Sequence, residues 1–196
     1  MLHLHMENPE LAHVEAVTRA WTREIVVGMN LCPFAKAPFE QGKVKIVVCG
    51  AKDRQEAYRA YLGELEFLAN RTDEVTETTL IVYPNQFSDF DDYLDFIDLA
   101  ESCIEEADLE GVVQVASFHP RYQFEDTAPD DVTNFTNRSP YPVVHLLLED
   151  SVTWAVENHP DVEGIPTRNI LKMRELGLER MEELMNSIRL GAKPNP

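Results

Sequence analysis

The stretch Thr79-Leu-Ile-Val-Tyr83 decides the fold, because it is a short uncharged run rich in β-branched residues. Such a run is typical of a strand that is buried in a sheet. A second run of this kind, Val44–Val48, precedes it. Between the two, residues 53–70 predict an amphipathic helix, which Asp53 and Glu56 begin in a capping-box pattern. The sequence therefore predicts a strand–helix–strand unit.

Working outward from this unit, periodic segments predict two more strands, at 112–118 and 143–148. The first helix is expected to begin at Pro9 with Asn8 as its cap and to end at Gly28 and Asn30. Three further helices are expected after the caps Ser88, Asp150 and Thr167, and the last of them is interrupted at Gly177. This order predicts an α/β fold, or an α+β fold, with helices packed on a mixed four-stranded sheet. The order is compatible with a thioredoxin-like or a ferredoxin-like arrangement and does not choose between them.

The length and charge of the chain limit its organisation and its partners. Its 196 residues suit one globular domain, expected at 8–190, with flexible termini at 1–7 and 191–196. The net charge is −18, from 35 acidic and 17 basic residues. Because affinity for nucleic acids and anionic membranes comes mainly from Lys and Arg, we expect neither as a partner.

The cysteines indicate the compartment. There are three, Cys32, Cys49 and Cys103, without the paired spacing of a disulfide framework. Together with the lack of a signal-peptide pattern at the start of the chain, they predict a soluble cytoplasmic protein. No nucleotide-binding motif is present, and no two of Cys32, His119 and His145 have local metal-ligand spacing. His3 and His5 are spaced by two but belong to the expected flexible terminus, so a metal is disfavoured. The cofactor and the oligomeric state stay open.

The segment from Ser117 to His145 is the candidate site, since periodicity fails between its two strands. Loops at the ends of strands commonly carry functional groups. The candidate acid–base residues are His119 and His145, and the candidate binding residues are Arg121, Tyr122, Asn134, Asn137, Arg138 and Ser139. The alternative is structural: Asn, Ser and Thr in a long connection satisfy its backbone by local hydrogen bonds.

Two elements outside this segment are further candidates. Cys32, in Leu-Cys-Pro-Phe-Ala, is interpreted as a nucleophile or a pocket wall, or alternatively as a buried cysteine packed with Phe34 and Phe39. Arg168 and Asn169 are interpreted as a second wall of the pocket, or alternatively as exposed helix surface.

These motifs resemble a family of uncharacterised proteins, domain of unknown function 1415. The resemblance rests on Asn30-Leu-Cys-Pro-Phe-Ala35, Phe118-His-Pro-Arg-Tyr-Gln-Phe124, Asn137-Arg-Ser-Pro-Tyr-Pro142 with His145-Leu-Leu, and Ile165-Pro-Thr-Arg-Asn169. It implies that the polar segment, Cys32 and the Arg168–Asn169 pair belong to the family pattern, and it implies no particular activity. The family pattern has arginine after His-Leu-Leu, where this chain has Leu148.

Three hypotheses for the function follow. The first is an enzyme acting on a small anionic metabolite, a carboxylate or a phosphate, with arginines as an anion clamp and a histidine as acid or base. The alternatives are a non-catalytic module that binds a metabolite or metal, and a structural or partner-binding protein. The first two need Cys32, His119, Arg138 and His145 within about 10 Å around one pocket, because catalytic groups must reach a common ligand.

Overall fold

The computed structural model describes residues 9–70 and 75–191, which form a mixed α/β fold. The strands are β1 (Val44–Val48), β2 (Thr78–Val82), β3 (Val113–Phe118) and β4 (Val143–Leu148). The α-helices are α1 (Pro9–Trp21), α2 (Lys36–Glu40), α3 (Arg54–Ala69), α4 (Phe90–Glu106), α5 (Glu149–Glu157), α6 (Ile165–Leu176) and α7 (Leu178–Gly191). The predicted fold class, a mixed four-stranded sheet with helices packed on it, is confirmed.

The sheet has the order β1-β2-β4-β3, a detail that the sequence left open. β1 is parallel to β2, and β4 is antiparallel to both of its neighbours. In this register His145 of β4 lies between Leu80 of β2 and Ala116 of β3. The ends of β2 and β3 therefore meet the start of β4 at one edge of the sheet, where residues 119–142 form the connection.

Each face of the sheet is covered by helices, because the strands alternate apolar side chains between both faces. On one face, Ile81 and Val144 pack in a buried cluster with α3 and α4. On the other face, Leu80 and Val82 pack with Val14 of α1. A third buried cluster joins α1, α6 and α7 to the β3–β4 connection through Trp21, Phe135, Met173 and Met181.

The end of the first helix has an unusual geometry. After α1 the chain continues through a π-helical segment, Thr22–Val27. A side chain at Gly28 would collide with the carbonyl oxygen of Glu24, which explains the glycine. Asn30 has a left-handed φ of 55°, and the Leu31 N–H donates to the Val26 carbonyl at 3.0 Å. The predicted stop at Gly28 and Asn30 is confirmed.

Two predicted helix caps are wrong, one by a single residue and the other by three residues. Asp89, not Ser88, caps α4, since its backbone is extended and its carboxylate accepts the N–H groups of the first turn. Gly164, not Thr167, is the cap of the C-terminal helical region, which starts at Ile165 with Pro166 in its first turn, where a missing N–H has no cost.

Three other boundaries bear on the predictions. Asp150 lies in the first turn of α5 and is not its cap, because this helix follows β4 directly. The interruption at Gly177 is confirmed, with a φ of 78° between α6 and α7. A 3₁₀ helix, Val132–Thr136, and α2 were not predicted. Asn8 and the predicted flexible termini lie outside the described residues, apart from Gly191 at the end of α7.

Candidate functional site

A cleft of about 500 Å³ lies where the β3–β4 connection meets the first helix and α6. This volume is within the range of small-molecule sites, about 300–1,000 Å³. Its lining residues are Val26, Leu31, Cys32, Phe118, Phe124, Thr127, Thr133, Thr136, Asn137, Ile165, Pro166, Asn169 and Ile170. Three of the predicted site residues, Cys32, Asn137 and Asn169, therefore share one concave surface.

Tyr93 of α4 fixes the point where the connection leaves the sheet. Its buried hydroxyl accepts the Phe118 N–H at 3.1 Å and donates to the Val143 carbonyl at 2.6 Å. These two residues face each other at the ends of β3 and β4. The hydroxyl therefore bridges the strands at their last pair, and it positions Phe118 at the cleft.

His119 is enclosed by protein groups. Its Nε2–H donates to the Phe87 carbonyl at 2.9 Å, and its Nδ1 accepts the Arg121 N–H at 3.0 Å. Its ring lies against Phe90 and Tyr93, with centroids 5.1 and 5.0 Å away. Burial lowers the pKa of this imidazole. Both ring nitrogens bond backbone groups, so His119 has a structural role, and it does not line the cleft.

Asn134 organises the outer part of the connection. Its buried side-chain oxygen accepts the Phe124 N–H at 3.1 Å and the Thr127 hydroxyl at 2.7 Å, and its Nδ2 donates to the Ala128 carbonyl at 2.9 Å. Asp131 caps the 3₁₀ helix by accepting the N–H and the hydroxyl of Thr133. This network holds Phe124 and the threonines at the cleft wall.

Helix α6 holds the loop that contains Cys32. Asn169 Nδ2 donates to the Leu31 carbonyl at 2.7 Å, and Lys172 Nζ donates to the Met29 carbonyl at 2.7 Å. Two contacts join positions that are distant in the chain, so the loop and α6 form a continuous wall. The predicted second wall is thus supplied by Asn169.

Cys32 is half-buried in this wall. Burial raises the pKa of its thiol, and hydrogen bonds from the backbone N–H groups of Phe34 and Ala35 act in the opposite direction. Burial is the larger effect, so the thiol form is favoured at neutral pH. Phe34 itself contacts the ring of His159 edge to face, at 5.4 Å between centroids.

The predicted anion clamp is not assembled in the cleft. Arg121 is exposed and donates to the Ser88 carbonyl and to the Asp89 carboxylate. Arg138 donates to the carbonyls of Tyr122 and Pro129, at 3.2 and 2.6 Å, and its guanidinium stacks on a phenylalanine ring. Both arginines therefore use their donors on protein groups and lie outside the lining.

The third arginine behaves in the same way. Arg168 binds the side chain and the backbone carbonyl of Asp161 and closes the turn before α6. Gly164 lies within this turn, where a side chain would collide with both partners. The exposed ion pair holds the turn, and Arg168 does not line the cleft, whereas its neighbour Asn169 does.

His145 lies within the sheet, on the face that α1 covers. Its Nε2 bonds the Thr78 hydroxyl, which donates in turn to the Leu146 carbonyl at 2.7 Å. Because Thr78 uses its proton on that carbonyl, His145 carries its hydrogen on Nε2. Burial lowers the pKa of His145 to about 4. The neutral ring is therefore the form present at pH 7, and it does not line the cleft.

The remaining predicted residues support the connection. The buried Ser139 hydroxyl donates to the Tyr141 carbonyl, and Tyr122 packs between Phe90 and Phe124. Of the four residues that the enzyme and binding hypotheses needed around one pocket, only Cys32 lines the cleft.

Sequence reasoning missed part of the lining. The threonines Thr127, Thr133 and Thr136 and the apolar residues of α6 were not singled out. Thr133 and Thr136 are three residues apart, which places them on the same side of a helical turn. This spacing could have indicated a shared surface, but the sequence does not show what that side of the turn faces. Leu148, where the resemblance implied an arginine, is buried in the core against α3 and α4.

Within residues 9–70 and 75–191, no group of three or more His, Cys, Asp or Glu side chains is placed to hold a metal ion. In the same ranges, no helix has the length and apolar character needed to cross a bilayer. No curated protein and no solved structure matches the chain. A family model does match residues 13–183, which confirms the resemblance seen in the motifs. The chain therefore belongs to the family described as protein of unknown function (DUF1415).

Proposed function

We propose that this protein binds a small molecule in the cleft between the Cys32 loop, the β3–β4 connection and α6. One observation carries the proposal: residues far apart in the chain, Cys32, Asn137 and Asn169, line one concave surface of ligand size. Hydrogen bonds from Tyr93, Asn134 and α6 hold the backbone of each wall. A site whose walls are held in this way loses little conformational entropy when a ligand binds.

This proposal departs from the anionic enzyme that the sequence suggested. The three arginines expected to hold the anion donate to carbonyls and carboxylates of the protein. Both candidate acid–base histidines have ring partners inside the protein. None of these side chains lines the cleft, so each would have to move to reach a ligand there. Binding is therefore supported better than acid–base chemistry on an anion.

Catalysis by a thiol is the second candidate, favoured by one observation. Cys32 lines the cleft, and the backbone N–H groups of Phe34 and Ala35 act to lower the pKa of its thiol against the larger effect of burial. Backbone N–H groups near a sulfur favour the thiolate, the nucleophilic form of cysteine. A Cys32→Ser variant separates the candidates: it retains ligand binding in both cases, and it abolishes turnover of a bound substrate only if the sulfur is the nucleophile.

The proposal includes a cytoplasmic location and a small-molecule partner, without nucleic acid or membrane partners. The sparse free cysteines support the location. The net charge of −18 supports the exclusion of polyanionic partners. Fractionation of the native cells into soluble and membrane pools tests the location directly.

The test of the proposed function is a thermal-shift screen of metabolites against three proteins. Ile170→Trp adds bulk at a residue that lines the cleft and is already 38% exposed. Leu171→Trp is the matched control, because this neighbour is 60% exposed and is not a lining residue. We expect ligands that stabilise the wild type and Leu171→Trp but not Ile170→Trp. Ligands that stabilise all three proteins equally would show that the site is elsewhere.

A further inference from the structure

We infer that the cleft selects a ligand that donates hydrogen bonds, a neutral or cationic molecule with hydroxyl or amine groups on an apolar body. This inference rests on the proposed function and specifies the ligand of the same site. It follows from the hydrogen bonds that the polar side chains of the lining already donate to other groups of the protein.

The threonine hydroxyls of the lining present acceptors. Thr133 donates to the Asp131 carboxylate at 2.6 Å, and Thr136 donates to the Thr133 carbonyl at 3.0 Å. The single proton of Thr127 has two acceptors in reach, the Phe124 carbonyl at 2.8 Å and the Asn134 side-chain oxygen at 2.7 Å. A hydroxyl has one proton and two lone pairs. All three hydroxyls therefore offer lone pairs, and no proton, to a ligand.

The two amides of the lining are oriented in the same sense. Asn169 donates Nδ2 to the Leu31 carbonyl at 2.7 Å, and Asn137 donates Nδ2 to the Ser117 carbonyl at 3.4 Å. A carbonyl partner fixes the amide orientation, because only the nitrogen carries protons. Each amide therefore keeps its oxygen as an acceptor and has one further N–H, and the Cys32 thiol is a weak donor. Acceptors, namely three hydroxyls and two amide oxygens, outnumber the two amide N–H groups and the thiol.

The charges around the cleft agree with this chemistry. None of the lining residues found in the described part of the chain is charged. The Asp131 carboxylate is bonded to Thr133 of the wall, and hydrogen bonds from Thr133 lower the pKa of that carboxyl, so it is ionised at neutral pH. The apolar wall, including Phe118, Phe124 and Ile165, suits a hydrocarbon body. An anionic head group would meet these acceptors, while the nearby Asp131 carboxylate and Arg174 side chain carry opposite charges.

The experiment compares three probes with the same chain and different head groups: 1-octanol, 1-octylamine and octanoate. Their affinities are measured by competition with the neutral dye Nile red in about 0.15 M salt, which screens the net charge of the protein. We expect octanol and octylamine to bind at least about tenfold more tightly than octanoate. A tenfold difference in affinity corresponds to the net free energy of about one hydrogen bond. Octanoate binding as tightly as the other two would overturn the inference.

A double variant, Thr127→Val with Thr136→Val, removes two acceptors and preserves side-chain shape. We expect it to weaken octanol binding by about threefold to tenfold. Thr153→Val on exposed α5 is the matched control and should change nothing. Thr136→Val alone replaces the double variant if that protein does not fold. Unchanged octanol binding in a folded variant would overturn the inference.

Ile170→Trp separates this inference from the proposed function. If probe binding is the same in Ile170→Trp as in the wild type, or if no probe binds, the cleft is not the site and both proposals fail. If Ile170→Trp weakens all three probes but octanoate is the tightest, the cleft binds ligands and only the inference about hydrogen-bond donors fails.

Discussion

Replacing Tyr93 with phenylalanine tests how the connection is held at the sheet edge. The change removes only the hydroxyl, which accepts from the Phe118 N–H and donates to the Val143 carbonyl. The ring is fully buried, so its contacts with His119 and the other aromatic side chains stay in place. Two backbone groups, one buried and one partly buried, then lose their partner.

Each buried polar group left without a partner costs about 1–3 kcal/mol. Two such groups predict a loss of about 2–6 kcal/mol in the free energy of unfolding of Tyr93→Phe, measured by urea denaturation at pH 7. Tyr58→Phe is the matched control. Its hydroxyl contacts the Cys103 sulfur at 3.1 Å, a weak partner, and we expect a loss below about 1 kcal/mol.

A loss below about 0.5 kcal/mol in Tyr93→Phe would refute this reasoning, because it would mean that Phe118 and Val143 bond each other directly once the hydroxyl is gone. Amide hydrogen exchange at Phe118 distinguishes the outcomes. We expect faster exchange in the variant than in the wild type, and unchanged protection would indicate direct closure of the strands.

Three further changes have defined expected outcomes. Gly177→Ala should lower the free energy of unfolding by about 1–3 kcal/mol, because φ is 78° and ψ is 161° there, a conformation that essentially only glycine adopts. Gly63→Ala, inside α3 with open space around it, should raise it by about 0.5–1 kcal/mol, and urea denaturation measures both. Since the pKa of His145 falls from its ordinary 6.5 to about 4 in the folded protein, the unfolded chain binds the additional proton between these values. Stability should therefore decline by up to about 3 kcal/mol as the pH falls from 6.5 to 4, with a smaller decline in His145→Leu. Burial raises the thiol pKa of Cys32, so iodoacetamide should alkylate it more slowly than it alkylates glutathione at pH 7.5, and equal rates would contradict a buried thiol.

The sheet and most helices were predictable from local patterns. The strand at 143–148 was found with its observed ends, because its apolar residues stand between Pro142 and the acidic Glu149. Helix starts were predicted less well, since Ser88 and Asp89 are both good caps and only the backbone geometry selects the aspartate. The π-helical segment before Gly28 has no sequence signature of its own, because it depends on tertiary packing.

The position of the candidate site was predictable, but its chemistry was not. The polar segment and the Asn169 region do border the cleft, as their place at strand and helix ends suggested. The arginines were interpreted as an anion clamp because a sequence shows which side chains can donate hydrogen bonds but not which groups accept them in the fold. Arg138 and Arg168 bond carbonyls that fold next to them, and a carbonyl is present at every residue. Sequence therefore reveals which donors exist, and only the fold reveals which remain available.

The position of β4 between β2 and β3 has a consequence for synthesis on the ribosome. The strand that completes the sheet is the last of the four in the chain, and it follows a long connection. Until residues 143–148 leave the exit tunnel, β2 and β3 each have an unpaired edge, which is the surface through which nascent chains aggregate. Fragments that end before Val143 should accumulate in inclusion bodies, and slow translation across the connection would prolong the need for chaperones.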